Sequence, residues 1–411
     1  MQIIKEISAD VQIDILGRLP LASCIVRFRC VSKQWCALIS DPSFTRHKLF
    51  SAAENPDYST YPLTMIVKNN KCAASLLYTL HSRNTLEPLL EAESPFDSDN
   101  YRIVGYCNGL MCMGYHGCSR DPTQATALIL WNPATSEIKV LPPTLYGESA
   151  GWVRIVGLGF DPESNDYKVV RQIIDYGKVG MIYDQACWDH HFEEVYSLSN
   201  DSWKRIDVGV GQPSSERSFL PQLPDYEVPR FCKGKLYWWT EITYPRGETG
   251  QTTRFASFDL SREVFEIVDV AKPAAAAEVW RVRSLLELPP SQLGDHSLAA
   301  VCCSTGADDQ SGSCFEIWAL LKLWVPESWT KLFVVPIVTD YYRFWGSSTS
   351  FLFFYDARDS NWLGGHDWYL DPEFIARRLQ TGETVALNSW DVRAFLVVNY
   401  VPSRVSLIHY R

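Results

Sequence analysis

Four stretches of the chain carry residue types that chemistry needs. Gly147-Glu-Ser-Ala-Gly151 matches the Gly-x-Ser-x-Gly pattern that presents a serine nucleophile. That pattern works only with a strand before the serine and a helix after it, inside an α/β sheet. Here Leu141-Pro-Pro precedes it and the strand-like Trp152-Val-Arg-Ile-Val follows, so the segment reads as a turn between strands. Cys187, Asp189, His190, His191, Glu193 and Glu194 crowd together. Zinc sites show paired ligands at set spacings, and adjacent histidines on a strand face opposite ways. This stretch reads as a solvated polar loop. Cys112, His116 and Cys118 offer part of a metal site with no fourth ligand. Gly157-Leu-Gly-Phe-Asp-Pro162 lacks the third glycine and the following helix of a dinucleotide loop. The chain is therefore expected to have no catalytic residues, no metal and no cofactor.

The elements around these stretches are mostly short strands. After His47 the helical pattern gives way to an extended one, and residues 51–60, with Asn55-Pro56-Asp57, read as a linker. From 61 to 411 one kind of segment recurs: an apolar strand, a turn rich in Asn, Asp or Ser, then a second strand. Leu128-Ile-Leu-Trp-Asn-Pro-Ala-Thr-Ser-Glu-Ile-Lys-Val is the clearest copy. Others begin at Ser75, Val195, Phe255 and Phe315, and weaker ones at Phe353 and Val397. Their anchors are Tyr78, Trp131, Tyr196, Phe258, Trp318, Tyr355 and Tyr400. Extra strands fall between anchors at Arg154–Phe160, Tyr167–Ile174 and Lys235–Thr240, giving about four strands per repeat, the number a propeller blade needs. Six or seven blades are expected, with the first and last strand pairs sharing a blade so that no sheet edge is left open. A pair of β-sandwiches is the competing arrangement. Trp131, Trp203 and Trp238 are expected to pack within or between blades. Three long connections stand out, Gly209–Arg230, Ala271–Glu278 and Ser304–Ser313, and the first and last of them are the leading candidates for recognition, with disordered spacers as the competing reading.

The first fifty residues are different. Ile7, Val11, Ile15, Leu16 and Leu19 form one apolar helical stripe, which Pro20 ends. Leu21, Ile25, Val26 and Phe28 make a second apolar stretch. Val31, Trp35, Leu38 and Ile39 make a third, stopped by Ser40-Asp41-Pro42. Three short helices bury too little surface to be comfortably stable alone. Their apolar faces are expected to belong partly to another protein, with Trp35 as the anchor and Arg27, Arg29 and Lys33 setting orientation.

Composition narrows the rest. The 411 residues are 46% hydrophobic, enough for a sizeable core, and the net charge of −10 with no dense basic run argues against nucleic acid or an anionic membrane as partner. No apolar run is long enough to span a bilayer, and the N-terminus lacks the apolar region of a signal peptide. The 12 cysteines are scattered, with no Cys-x-x-Cys, which fits reduced thiols in the cytoplasm or nucleus.

The stretch from Ile7 to Phe44 resembles an F-box. The resemblance rests on Leu19-Pro20, on Arg27-Phe-Arg-Cys-Val-Ser-Lys33 with Trp35, and on Ser40-Asp-Pro-Ser-Phe44. It departs from the family at one point, where Ile7-Ser8 replaces the usual Leu-Pro. The remainder resembles the F-box-associated, kelch-related domain of plant F-box proteins, through Asn108-Gly-Leu110, Trp131-Asn-Pro-Ala-Thr135, Gly157-Leu-Gly-Phe-Asp-Pro162, Asp166-Tyr-Lys-Val-Val170 and Gly234-Lys-Leu-Tyr-Trp238. The resemblance implies a small all-α F-box at 1–50, a linker at 51–60 and a β-propeller-like domain at 61–411. It further implies that Ile7, Val11, Ile15, Leu16, Leu19, Pro20, Val31, Ser32, Lys33 and Trp35 contact a Skp-type adaptor. Through it the chain would reach a cullin scaffold, and the β domain would hold an unknown target protein for ubiquitination. A propeller that binds a small ligand or glycan, which the 15 Trp and 20 Tyr would permit, and an enzyme with an unrecognised active site stay open beside this reading.

Overall fold

The computed structural model describes the strands given below, together with residues 82, 85–87, 100, 108–109, 127, 133–136, 141–146, 162–165, 198–201, 228–229, 233–234, 260–263, 276, 348, 381, 383, 401–403 and 405–408, and Val11 and Lys33. The strands in chain order are β1 (Leu63–Asn70), β2 (Ser75–His81), β3 (Pro88–Asp97), β4 (Tyr101–Cys107), β5 (Leu110–Tyr115), β6 (Leu128–Asn132), β7 (Glu137–Val140), β8 (Ala150–Asp161), β9 (Asp166–Asp175), β10 (His191–Ser197), β11 (Ser202–Ile206) and β12 (Arg230–Cys232). They continue as β13 (Lys235–Thr243), β14 (Gln251–Asp259), β15 (Val264–Val270), β16 (Val279–Glu287), β17 (Leu298–Thr305), β18 (Cys314–Leu320), β19 (Trp329–Pro336), β20 (Tyr342–Ser347), β21 (Phe351–Asp356), β22 (Phe374–Arg378), β23 (Thr384–Leu387) and β24 (Ala394–Tyr400).

These strands form six antiparallel sheets of four, the blades of a six-bladed β-propeller. Five blades are consecutive: β4–β7, β8–β11, β12–β15, β16–β19 and β20–β23. The first blade is mixed, in the order β24-β1-β2-β3, so the last strand pairs with the first. Leu63 lies opposite Tyr400 and Met65 opposite Val398. The expected sharing of one blade by the two ends is what the structure has. The first strand of each blade, β24, β4, β8, β12, β16 and β20, meets the first strand of the next all the way around. Those six strands therefore surround the axis.

Turn chemistry shapes the hairpins. Asn108-Gly109 and Lys233-Gly234 both have left-handed backbones, at φ 46° and 83° and at 47° and 76°. Two such residues in a row make the tight turn that follows the natural twist of a hairpin. Longer turns use a side chain instead. Asn132 Oδ1 accepts from the Ala134 N–H at 3.0 Å, and Asp259 Oδ1 accepts from the N–H groups of Ser261 and Arg262 at 3.1 and 3.0 Å. These two kinds of turn account for several of the recurrent sequence phrases.

Blades pack through aromatic rings and bare glycines. Trp131 on β6 is 2% exposed and meets Tyr78 and Phe96 of the first blade edge-on, with ring centres 5.5 and 5.7 Å away. Trp238 on β13 is equally buried and packs with Val170, Val195 and Ile206 of the preceding blade. Trp203 is buried as well. Gly105 faces Leu158, and a Cβ there would lie 2.8 Å from the Leu158 nitrogen. A Cβ on Gly157 or Gly159 would lie 2.7 Å from Leu236 or 2.5 Å from Leu260. Gly105, Gly157 and Gly159 are thus close-packing positions between blades. A polar lock reinforces the same joint. Lys168 meets Asp161 and Glu263 at 3.0 Å each and the Leu260 carbonyl at 2.7 Å, while Lys204 meets Glu263 at 2.6 Å.

Two expectations are corrected. The hairpin read from Phe353 to Trp362 does not form, because β21 pairs with β22, which begins only at Phe374. Anchor Tyr355 consequently sits on the second strand of its blade, whereas Tyr78, Trp131, Tyr196, Phe258 and Trp318 sit on third strands. The second half of the copy at Val397 is not a strand either. Pro402 has no N–H to continue a ladder, and the chain beyond it is tied to the second blade instead. Asn132 Nδ2 donates to the carbonyls of Ser403 and Val405 at 3.1 and 2.8 Å, and Glu137 accepts from the Leu407 N–H at 2.6 Å. Leu407 is 1% exposed beneath this strap.

Two outcomes are expected. Trp131→Ala should cost about 3–5 kcal/mol, the usual cost of emptying an aromatic site in a core, and a thermal melt should show a lowered midpoint. The second concerns acid. Burial works to raise the Asp161 carboxyl, but hydrogen bonds from Ser164, Ser261, Lys168 and the Glu163 N–H outweigh it and hold the group well below the usual carboxylate range. Glu263 is also lowered: burial opposes this, and Lys204 and Lys168 outweigh it. Groups lowered on folding contribute stability above their unfolded pKa and lose it as the pH falls toward the folded value. Denaturant midpoints should therefore fall as the pH drops below about 4, and the loss should be smaller in Lys168→Met, which starts from a lower stability.

Candidate functional site

Strand direction sorts every connection to one of two ends. In an antiparallel blade, the link from first to second strand and the link from third to fourth leave from the same end. At this end lie Asn108-Gly109, Lys233-Gly234 and the turns at 133–136, 162–165, 198–201 and 260–263. Side-chain contacts between neighbouring blades place these turns together, since Ser261 donates to Asp161 and Lys139 meets Asp201 at 3.0 Å. The other connections leave from the opposite end, including those spanning 116–127, 176–190, 207–229, 271–278, 306–313 and 357–373. The two candidate recognition segments, Gly209–Arg230 and Ser304–Ser313, and the long connection Ala271–Glu278 all join strands at this second end. Most of their residues lie outside the described residues.

The chain enters the propeller at the first end. Leu63 begins β1 beside Tyr400, the last residue of β24, and the C-terminal strap lies against Gly109 there. A strand of eight residues spans about 26 Å at 3.3 Å per residue. The chain thus joins the propeller at the end opposite most of the long connections. Of its ten candidate contact residues, Val11 and Lys33 are described: both are helical and exposed, Val11 at 49%. Ile7, Ile15, Leu16, Leu19, Pro20, Val31, Ser32 and Trp35 lie outside the described residues, as does the linker at 51–60.

The chemistry-bearing stretches resolve differently from their sequence reading. Glu193 and Glu194 are not in a solvated loop. They lie on β10 and are 4% and 0% exposed. Glu193 accepts from Gln172 Nε2 at 2.9 Å. Glu194 takes both Nε and Nη2 of Arg171 on one oxygen, at 2.9 and 2.8 Å. Its other oxygen accepts from the Thr144 hydroxyl at 3.0 Å and the Leu145 N–H at 2.8 Å. The Arg171 guanidinium lies 3.7 Å over the Trp203 ring, and Trp203 Nε1 donates to the Pro142 carbonyl at 2.8 Å. Burial pulls Arg171 below its ordinary pKa while Glu194 pulls it back up. This unit was missed in sequence, because Arg171 and Glu194 meet only across the β9–β10 pairing. Its work is to fix residues 142–145, the start of the path from the second blade to the third. The Asp189, His190 and Cys187 of the same stretch lie outside the described residues.

Cys112 is wholly buried inside β5, and burial pushes its thiol up to about 12; His116 and Cys118 lie outside the described residues. At the Gly147–Gly151 stretch, Ala150 and Gly151 already belong to β8, so a strand and not a helix follows the serine. No group of three or more metal-ligating side chains comes together among the described residues, and none of the described helices is long and apolar enough to cross a membrane.

Breaking the Arg171–Glu194 pair should be costly. Glu194→Ala leaves a buried guanidinium without its partner and should cost about 3–5 kcal/mol. The double variant Arg171→Met, Glu194→Leu should recover most of that loss, since a buried pair can often be replaced by apolar groups. Denaturant titration of the single and double variants checks both values.

With this geometry in view, the comparisons with known proteins agree on both parts of the chain. Residues 64–407 match the model of the F-box associated β-propeller domain, and residues 4–47 match that of the F-box domain. F-box protein CPR1 of Arabidopsis thaliana is 29% identical over 337 residues, covering 80% of this chain and 73% of that protein. F-box/kelch-repeat protein At3g23880 of the same plant is 23% identical over 337 residues, covering 80% and 79%. The chain is a plant-type F-box protein and belongs to the family built from an N-terminal F-box followed by an F-box associated β-propeller domain.

Proposed function

We propose that this chain is a non-catalytic substrate receptor of a Skp-cullin-F-box ubiquitin ligase, working in the cytoplasm, the nucleus or both. The F-box match over residues 4–47, directly ahead of the propeller, carries the reading. An F-box serves to dock on a Skp-type adaptor, and the adaptor connects to a cullin scaffold. The apolar stripe of Ile7, Val11, Ile15, Leu16 and Leu19, with Pro20, Val31, Ser32, Lys33 and Trp35, is the surface assigned to the adaptor. The exposure of Val11 supports this, because an apolar helical residue open to solvent gains from a partner that covers it.

The propeller then acts as a spacer and a platform. A closed ring of six sheets is stiff, so a target held at the far end is presented at a fixed height above the F-box. Connections at that end can change in sequence without cost to the blades. Ubiquitin transfer itself is assigned to other subunits, and this chain contributes position only.

Co-purification with a recombinant Skp-type adaptor tests the reading. The wild-type chain should form a stable complex, and Leu19→Ala with Pro20→Ala should abolish it while leaving the propeller melt unchanged. Wild-type affinity in the double variant would show that this face is wrongly assigned. Ser8→Pro, which restores the usual residue of the family, should tighten the complex.

A further inference from the structure

The seam between the fourth and fifth blades carries an aromatic face that is only half covered. Trp239 on β13 stands directly opposite Phe255 on β14, so the two rings project from the same side of the fourth blade. Phe255 is buried, and its ring centre lies 6.2 Å from that of Trp329, the first residue of β19 in the fifth blade. Trp239 and Trp329 are half-buried, and both pack against one cluster that also holds Trp318. Ala276 packs there too, from the connection at 271–278, at the end proposed for target capture. The fifth blade extends the face along its outer strand. Val334 on β19 lies opposite Glu316, whose carboxylate accepts from Trp318 Nε1 at 2.9 Å and holds the Lys331 ammonium. Val334 thus shares the side of the sheet on which Trp318 meets the fourth blade, and it is 52% exposed.

One polar group on this face has no partner. The Trp239 indole N–H is buried without an acceptor, and among the described residues it is the only buried indole N–H left so. Trp203 and Trp318 show the usual arrangement, donating to the Pro142 carbonyl and to Glu316. A buried donor left unpaired is costly, so the site favours a ligand that brings an acceptor. The charges on this side, Lys331 and Glu316, already hold each other. The seam therefore offers aromatic and apolar surface with one donor, and it has no place for donors on the ligand. A proline-rich segment has the matching chemistry. Its prolines have no N–H to strand, its carbonyls stay free to accept, and its rings suit an aromatic-lined surface. It is also extended and stiff before it binds, so little freedom is lost on docking. The dimensions agree. From Trp329 to Val334 the strand covers at most about 16 Å, the length of about five residues of polyproline II.

We propose that the seam between the fourth and fifth blades binds a proline-rich segment of the target protein in polyproline II conformation, with Trp239 Nε1 donating to one of its carbonyls. This rests on the receptor reading above and adds the class of segment that is captured.

The test immobilises the full chain and offers it a peptide pool built on Pro-x-x-Pro with random flanks, beside the same pool with alanine at both prolines. The proline pool should be retained about ten-fold over the other. Trp239→Phe, which keeps a ring and removes the donor, should lower that preference about five-fold. Val334→Asp, at an exposed position, should abolish it at an unchanged thermal midpoint, and it decides alone if Trp239→Phe does not fold. Equal retention of the two pools overturns the proposal, as does full retention by the folded variants. Selective retention of oligosaccharides from a glycan array overturns it in favour of a sugar site. A dimer in sedimentation that Val334→Asp dissolves overturns it in favour of a second copy of the chain. Adaptor co-purification in parallel separates the two readings. Loss of pool selection with adaptor binding intact counts against this inference alone. Failure of the wild-type chain to bind the adaptor counts against the receptor reading, and selection of the proline pool would still support the seam.

Discussion

A β-sheet edge is a row of unsatisfied donors and acceptors, and this fold meets that constraint by bringing its last strand to its first. The pairing of β24 with β1 is the interaction on which the rest depends. It completes the first blade, and it brings the sixth blade against the first so that the ring of inner strands closes. Everything else that joins blades is local to one joint. Trp131 serves the first and second blades, and the glycines of β8 with the Lys168 lock serve the third and fourth. The C-terminal strap extends the closure by one blade, since Asn132 and Glu137 hold the chain after it has left β24. Tyr106 joins the same region by donating to the Asn399 carbonyl at 2.7 Å.

Closure also explains why the two ends of the propeller differ. The chain enters and leaves at the end that holds the short turns at 108–109, 133–136, 162–165, 198–201, 233–234 and 260–263, where backbone φ values and Asx bonds leave little freedom. The opposite end receives neither the entry at Leu63 nor the exit at Tyr400 and carries most of the long connections. The buried Arg171–Glu194 pair shows how a described connection is anchored: one carboxylate oxygen is given to the core and the other to the connecting backbone. A buried pair adds little net stability by comparison with apolar packing. Its contribution here is geometric.

Much of this was legible in the chain because propeller turns are written locally. Asn108-Gly109 and Lys233-Gly234 name their own turn type, and Asn132-Pro-Ala-Thr135 names the next. Each falls at a strand end in the structure. Strand count and closure followed from repeating such units. Legibility failed where partners are remote. The β21–β22 pairing bridges a long connection, so the apolar residues near Trp362 looked like a closer partner. The strap after Tyr400 had strand-like residues but owes its conformation to Asn132 and Glu137, more than 260 positions earlier. Glu193 and Glu194 read as solvent-facing because their counterparts, Gln172 and Arg171, sit on another strand. For the adaptor face, the apolar helical stripe and the F-box resemblance together were the signal, and of that face the described residues include Val11 and Lys33.

The order in which the ribosome makes this molecule follows from the shared blade. The F-box is finished first and is free to fold or find a partner while the propeller is still being made. The strand that completes the first blade is synthesised only after every strand of the other five. Until it emerges, β1 presents an unpaired edge on a nascent chain that already holds five other blades. A transcript cut short anywhere before Ala394 would encode a propeller with an open ring. Unpaired strand edges make a partly folded chain prone to aggregation, and the closing strand is what removes this one.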